Sequence, residues 1–156
     1  MKIMERKASD NKYLHRDFHI SADIGLSYVG EKYGDNGVRE YLTLFAQAYY
    51  KPLADAIKAH GLAAMKDHIE RIYEIEEASD ALAMVLSDDC LNVEISYCPA
   101  IRFMKSKGHT PSLWYVEATR TVNATIADMA DIGFSLLSYN EDNGAAAYRF
   151  FRRSFI

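Results

Sequence analysis

Asn92-Val93-Glu94-Ile95-Ser96-Tyr97-Cys98-Pro99-Ala100-Ile101 is a strand that stops at a cysteine and turns at once into a helix. Leu91, Val93, Ile95 and Tyr97 alternate with Cys90, Asn92, Glu94, Ser96 and Cys98, so one face is apolar and the other carries two thiols, a carboxylate and a hydroxyl. Pro99 suits the first position of a helix, where its fixed φ helps and its missing N–H costs nothing. Cys98 then takes the N-cap slot, beside free backbone N–H groups and the positive end of a helix dipole. That setting predicts a thiol more acidic than usual, ready to attack carbon. The plainer reading of Cys98 is a small buried residue that fits a tight corner.

Outward from this corner, the apolar run Leu82 to Leu86 and the turn Ser87-Asp88-Asp89 make the strand half of a hairpin, with strands near 81–87 and 90–97. A short helix from Pro99 to about Lys105 follows, closed by Gly108. Thr110-Pro111 opens a long helix reaching about Asp131, with Tyr115, Ala118, Val122, Ile126 and Met129 on its core face and Glu117, Arg120, Asn123 and Asp128 pointing elsewhere. Two more strands, near 134–140 and 145–152, flank Asn140-Glu141-Asp142-Asn143-Gly144, whose Asn-Gly pair is a strong hairpin signal.

Toward the N-terminus, a third helix follows His60-Gly61, with Leu62, Met65, Ile69, Ile72 and Ile75 as its buried side and a solvated run of glutamates opposite. Before it, Val38, Leu42, Phe45, Tyr49, Leu53 and Ile57 recur at helical spacing, with a kink or break expected at Pro52. A first helix spans Asp17 or Ser21 to Tyr33 and stops at Gly34. Gly25 and Gly30 resemble a phosphate loop in spacing only, for Glu31 stands where the lysine belongs. Residues 1–16 are a polar, loosely held lead-in, and 17–156 form a single domain. The order of helices, hairpin, helices, hairpin predicts an α+β fold: a four-stranded antiparallel sheet with helices packed mainly on one face.

The chain has 156 residues, 49% of them hydrophobic, and a net charge of −4. It is long enough for a full core, too apolar for disorder, and too acidic for a general pull toward nucleic acid or anionic membranes. No apolar window spans a bilayer and the N-terminus lacks a signal-peptide core, so a cytoplasmic location is expected. Two cysteines are no disulfide framework, and on one strand Cys90 and Cys98 would sit roughly 26 Å apart at about 3.3 Å per residue.

Five histidines are present. His15 and His19 have the i, i+4 spacing of a shared metal site but lack a following glutamate and a second ligand cluster, so no metal and no cofactor are expected. His109 lies in the loop after the Cys98 helix and is a candidate base for Cys98; an exposed loop histidine is the simpler alternative. Glu94 shares the polar strand side with Cys98 and is the other candidate proton carrier. Ser96, Tyr49 and Trp114 are candidate substrate contacts. Arg149, Arg152 and Arg153 form a small basic patch without a nucleic-acid fold signature.

The strand running into Cys98-Pro99, the long helix through Glu117-Ala118, the Gly133–Tyr139 strand and the final Tyr148-Arg149-Phe150 strand together resemble the bacterial family named for 2-amino-thiazoline-4-carboxylate hydrolase. Tyr28-Val29-Gly30-Glu31-Lys32-Tyr33-Gly34 is similar to its N-terminal part. The resemblance implies an α+β domain and hydrolytic opening of a thiazoline ring to N-carbamoyl-cysteine, and only Cys98 matches a motif position. The expectation is a hydrolase of a small cyclic C–N substrate, with Cys98 as nucleophile and His109 or Glu94 moving protons. The alternatives are a small-molecule-binding or sensory module without turnover, and a structural subunit that forms a homodimer through the long helix.

Overall fold

The computed structural model describes residues 16–154, so the lead-in and His15 fall outside the described residues, Arg16 excepted. Among the described residues five α-helices accompany four strands: α1 Asp17–Tyr49, α2 Lys51–His60, α3 Leu62–Ile75, β1 Leu82–Leu86, β2 Cys90–Ile95, α4 Pro99–Ser106, α5 Val116–Met129, β3 Ile132–Tyr139 and β4 Ala146–Arg152. The sheet is wholly antiparallel, in the order β1-β2-β4-β3, so the two hairpins meet through β2 and β4. The α+β architecture is as the sequence predicts.

Alternation along the strands sets which face is covered. Leu91, Val93, Ile95, Ala146, Tyr148 and Phe150 are buried beneath the helices, whereas Asn92, Glu94 and Arg149 face solvent on the other side. Phe134, Tyr148 and Phe150 form an aromatic cluster across β3 and β4, with ring centres 5.1–6.0 Å apart. At Leu137 the pairing slips, from Leu136 opposite Tyr148 to Ser138 opposite Ala147. This bulge turns Tyr139, opposite Ala146, back to the covered face.

The helices break where the residue types demand it. α1 is kinked at Gly34, whose φ of +70° lies in the left-handed region that suits glycine. Tyr50 separates α1 from α2, and Pro52 sits in the first turn of α2, where it is tolerated. In α3 the buried residues are Leu62, Met65, Ile69 and Tyr73. Ile72 and Ile75, expected in the core, are 38% and 47% exposed, because the stripe follows 3.6 residues per turn and passes to Tyr73; Ile72 lines the cavity described below.

The long helix is shorter than expected: Pro111 and Ser112 are irregular and Leu113 to Tyr115 make a turn before α5 begins at Val116. α5 also has α1 on its far side, which explains why Glu117 is buried rather than turned to solvent. Its carboxylate accepts hydrogen bonds from Arg120 Nη1 at 2.6 Å and Thr121 Oγ1 at 2.7 Å, with Arg39 at 3.5 Å. The arginines of the basic patch are engaged within the chain. Arg153 pairs with Asp128 and Asp131, Arg152 lies 4.0 Å from Asp89, and Arg149 lies over the Phe151 ring.

Candidate active site at Cys98

β2 ends at Ile95, two residues before the expected Tyr97, and the chain bends at Ser96. The bend breaks the alternation, so Cys98 is not on the polar face with Glu94. It lines a cavity of about 280 Å³ on the covered side, together with Ile95. Cys98 has extended backbone (φ −86°, ψ 120°) and occupies the N-cap position of α4, with Pro99 in the first turn. Its own N–H donates to Asn143 O at 2.8 Å, and Gly144 is packed against its Cβ. The tip of the β3–β4 hairpin therefore holds the cysteine in place.

The rest of the cavity comes from four elements. Met65, His68, Ile69 and Tyr73 of α3 form one wall, and Thr119, Val122, Asn123 and Ile126 of α5 another. Tyr139, Ala146 and Tyr148 close it from the sheet, and Tyr50 and Tyr115 stand at its edge. Among the described residues no Asp, Glu, Lys or Arg lines it. The polar groups are a thiol, an imidazole, a side-chain amide and several hydroxyls.

The amides of Ala100 and Ile101 and the Tyr115 hydroxyl favour the Cys98 thiolate, as the N-cap position predicts. Burial opposes them and prevails, and the thiol is pushed up rather than down. The expectation of an acidic thiol is overturned for that reason. Burial likewise raises Tyr50, Tyr73, Tyr115, Tyr139 and Tyr148, which all remain neutral phenols able to donate. His68 is shifted the opposite way, by burial and then by the Arg71 charge, so it is a neutral imidazole near pH 7.

These directions give a test of the thiol itself. In the Cys90→Ala protein the rate of Cys98 alkylation should stay low at neutral pH and climb only above the ordinary thiol value of about 8.5. Tyr115→Phe should move that climb higher still, because it removes a hydrogen bond that favours the thiolate. An alkylation midpoint below about 8 would contradict the burial argument.

The other residues singled out in the sequence are not gathered at Cys98. Glu94 is exposed on the uncovered face between Ala83 and Ala147, since strand parity places it opposite Val93 and Ile95. Ser96 is exposed, and both its N–H and its hydroxyl donate to Ala81 O. His109 is turned toward α1, where its Nε2 lies 2.7 Å from the buried Asp23 carboxylate, which also accepts the Ser112 N–H. Tyr49 is exposed and stacked on Phe45, leaving its neighbour Tyr50 to reach the cavity. Trp114 donates its indole N–H to Asp35 at 2.8 Å and lies flat against Gly30, in a second small core with Leu26, Val38 and Leu42.

His19 is held by Glu76 at 2.7 Å, and among the described residues no group of three His, Cys, Asp or Glu is placed to hold a metal. No described helix is long and apolar enough to cross a membrane. The sequence reading missed His68 and the ring of tyrosines. Their signal was present but faint: His68 and Tyr73 fall within the helical stripe of Met65 and Ile69. Neither a scan against protein-family models nor a search of curated proteins finds a match to this chain.

Proposed function

We propose that this protein binds a small, uncharged, ring-bearing molecule in the Cys98 cavity. One observation carries the reading: a cavity of about 280 Å³ is lined by aromatic and aliphatic side chains, with a few convergent hydroxyl, thiol, imidazole and amide groups and no charge. Its lining is that of small-ligand sites, in which apolar surface supplies affinity and a few polar groups fix orientation, and its volume is at their small end. A ring carrying a free carboxylate finds no Lys or Arg there to meet it.

Hydrolysis of a small cyclic C–N substrate, as the amino-thiazoline resemblance implies, is a second reading. The favouring observation is that Cys98 occupies the N-cap position of α4 beside the Ala100 and Ile101 amides, with neutral His68 lining the same cavity. In that chemistry the Cys98 proton passes to His68 as sulfur bonds to the electrophilic ring carbon. A ring heteroatom then leaves with that proton, and water cleaves the S–C bond and restores the thiol. The helix N–H groups meet the charge that develops on the attacked centre. His68 replaces His109 and Glu94 as proton carrier because it alone of the three lines the cavity.

Calorimetric titration tests the ligand site and a turnover assay the hydrolytic reading. 2-Methylthiazoline should bind the wild type saturably, and Thr119→Phe, which fills the cavity from α5, should abolish binding. If no saturable binding occurs, the ligand site is wrong. For the hydrolytic reading, release of thiol from 2-amino-thiazoline-4-carboxylate should vanish in Cys98→Ser while binding persists, since serine fits the same space and is a far weaker nucleophile. Undiminished turnover in Cys98→Ser would remove the covalent route.

A further inference from the structure

A second hollow of about 290 Å³ lies against α1 on the other side of Tyr115. Tyr50, Tyr115, Ala118 and Val122 line both spaces, so the two share a wall built from the α1–α2 junction, the turn before α5, and α5 itself. Ala118 contributes only a methyl group to that divide. The kink at Gly34 gives α1 two halves, and both contribute to the cleft: Phe18 and Ala22 from the first, Tyr41 and Phe45 from the second.

The cleft is chemically unlike the cavity. Phe18, Tyr41 and Phe45 are 65%, 49% and 40% exposed, an unusual cost for rings gathered at one opening. Its ionisable groups are already engaged, His19 with Glu76 and Asp23 with His109 and the Ser112 amide. Nothing there is left to recruit a charged group. A flexible apolar chain, in contrast, would cover ring surface that now faces water.

Resting on the ligand site proposed above, we infer that the Cys98 cavity and the α1 cleft are two halves of one site. Its ligand is an uncharged molecule with a compact ring head at Cys98 and an apolar tail that passes Ala118 and lies against Phe18, Tyr41 and Phe45. Each half alone suits only a fragment of that molecule; together they suit an elongated one.

The experiment compares 2-methyl-, 2-butyl- and 2-hexylthiazoline by calorimetry. Wild-type affinity should rise about fourfold per added methylene over the first carbons, the gain expected for moving each from water into an apolar site. Ala22→Trp, at an exposed helix position, fills the cleft: the methyl compound should bind as before and the gain with chain length should disappear. Phe45→Ala should reduce the same gain by removing a surface the tail covers. Equal affinity of all three compounds for the wild type would overturn the joined site and leave the Cys98 cavity standing. A chain-length gain that survives both variants would overturn the placement of the tail. Failure of the methyl compound to bind would remove the underlying reading, and this one with it.

Discussion

Phe150→Ala should destabilise the protein by about 4 kcal/mol, the largest effect expected of any single truncation in the sheet. Phe150 is fully buried in the middle of β4, between β2 and β3, and packs against Phe134 and Tyr148. Its loss removes apolar area and leaves a void that rigid neighbours on three strands cannot collapse to fill. Denaturant titration followed by circular dichroism measures it. A cost below about 2 kcal/mol would mean that the sheet relaxes around the gap, contrary to the packing described.

Gly144→Ala should cost about 3 kcal/mol and also weaken the binding of 2-methylthiazoline. Two causes add. Gly144 has φ +71°, where an L side chain is strained by about 1–2 kcal/mol. An added Cβ would also overlap Cys98 Cβ and come within 2.8 Å of Ile101 Cδ1, an overpacking that costs about 1–3 kcal/mol. The atoms that must yield are those that fix Cys98 at the head of α4. 2-Methylthiazoline binding should therefore fall further than the loss of stability alone explains. Unchanged binding by a folded Gly144→Ala protein would show that the hairpin tip does not position the cysteine.

Much of the fold was legible because its signals are local. The alternation Leu91, Val93, Ile95, the cap-proline corner at Cys98-Pro99 and the Asn143-Gly144 turn each belong to a few consecutive residues, and the strands begin and end within about two residues of the predicted bounds. What failed depended on contacts between distant segments. Glu117 reads as a surface residue on an amphipathic helix, and only the arrival of α1 on that side buries it beside Arg39 and Arg120. His109 and Trp114 are claimed by Asp23 and Asp35, some eighty residues earlier.

The site suffered most, for a reason of parity. One bend at Ser96 carried Cys98 from the polar face to the covered one, and one extra residue at Leu137 carried Tyr139 with it. A displacement of a single residue exchanges the two faces of a strand, and residue types do not record it. Cys98 could thus be nominated from sequence, while its company could not.

The strand order has a consequence for how the molecule comes into being. Within each hairpin the partners are separated by a short turn, but β2 must meet β4 across about fifty residues that include α4 and α5. Closing so long a loop costs more chain entropy than closing either hairpin turn. The bond from Cys98 to Asn143 and the contact with Gly144 lie at the end of that same seam. During synthesis a chain that has emerged only as far as α5 has its thiol but nothing to hold it, and the cavity comes into existence with the last strand.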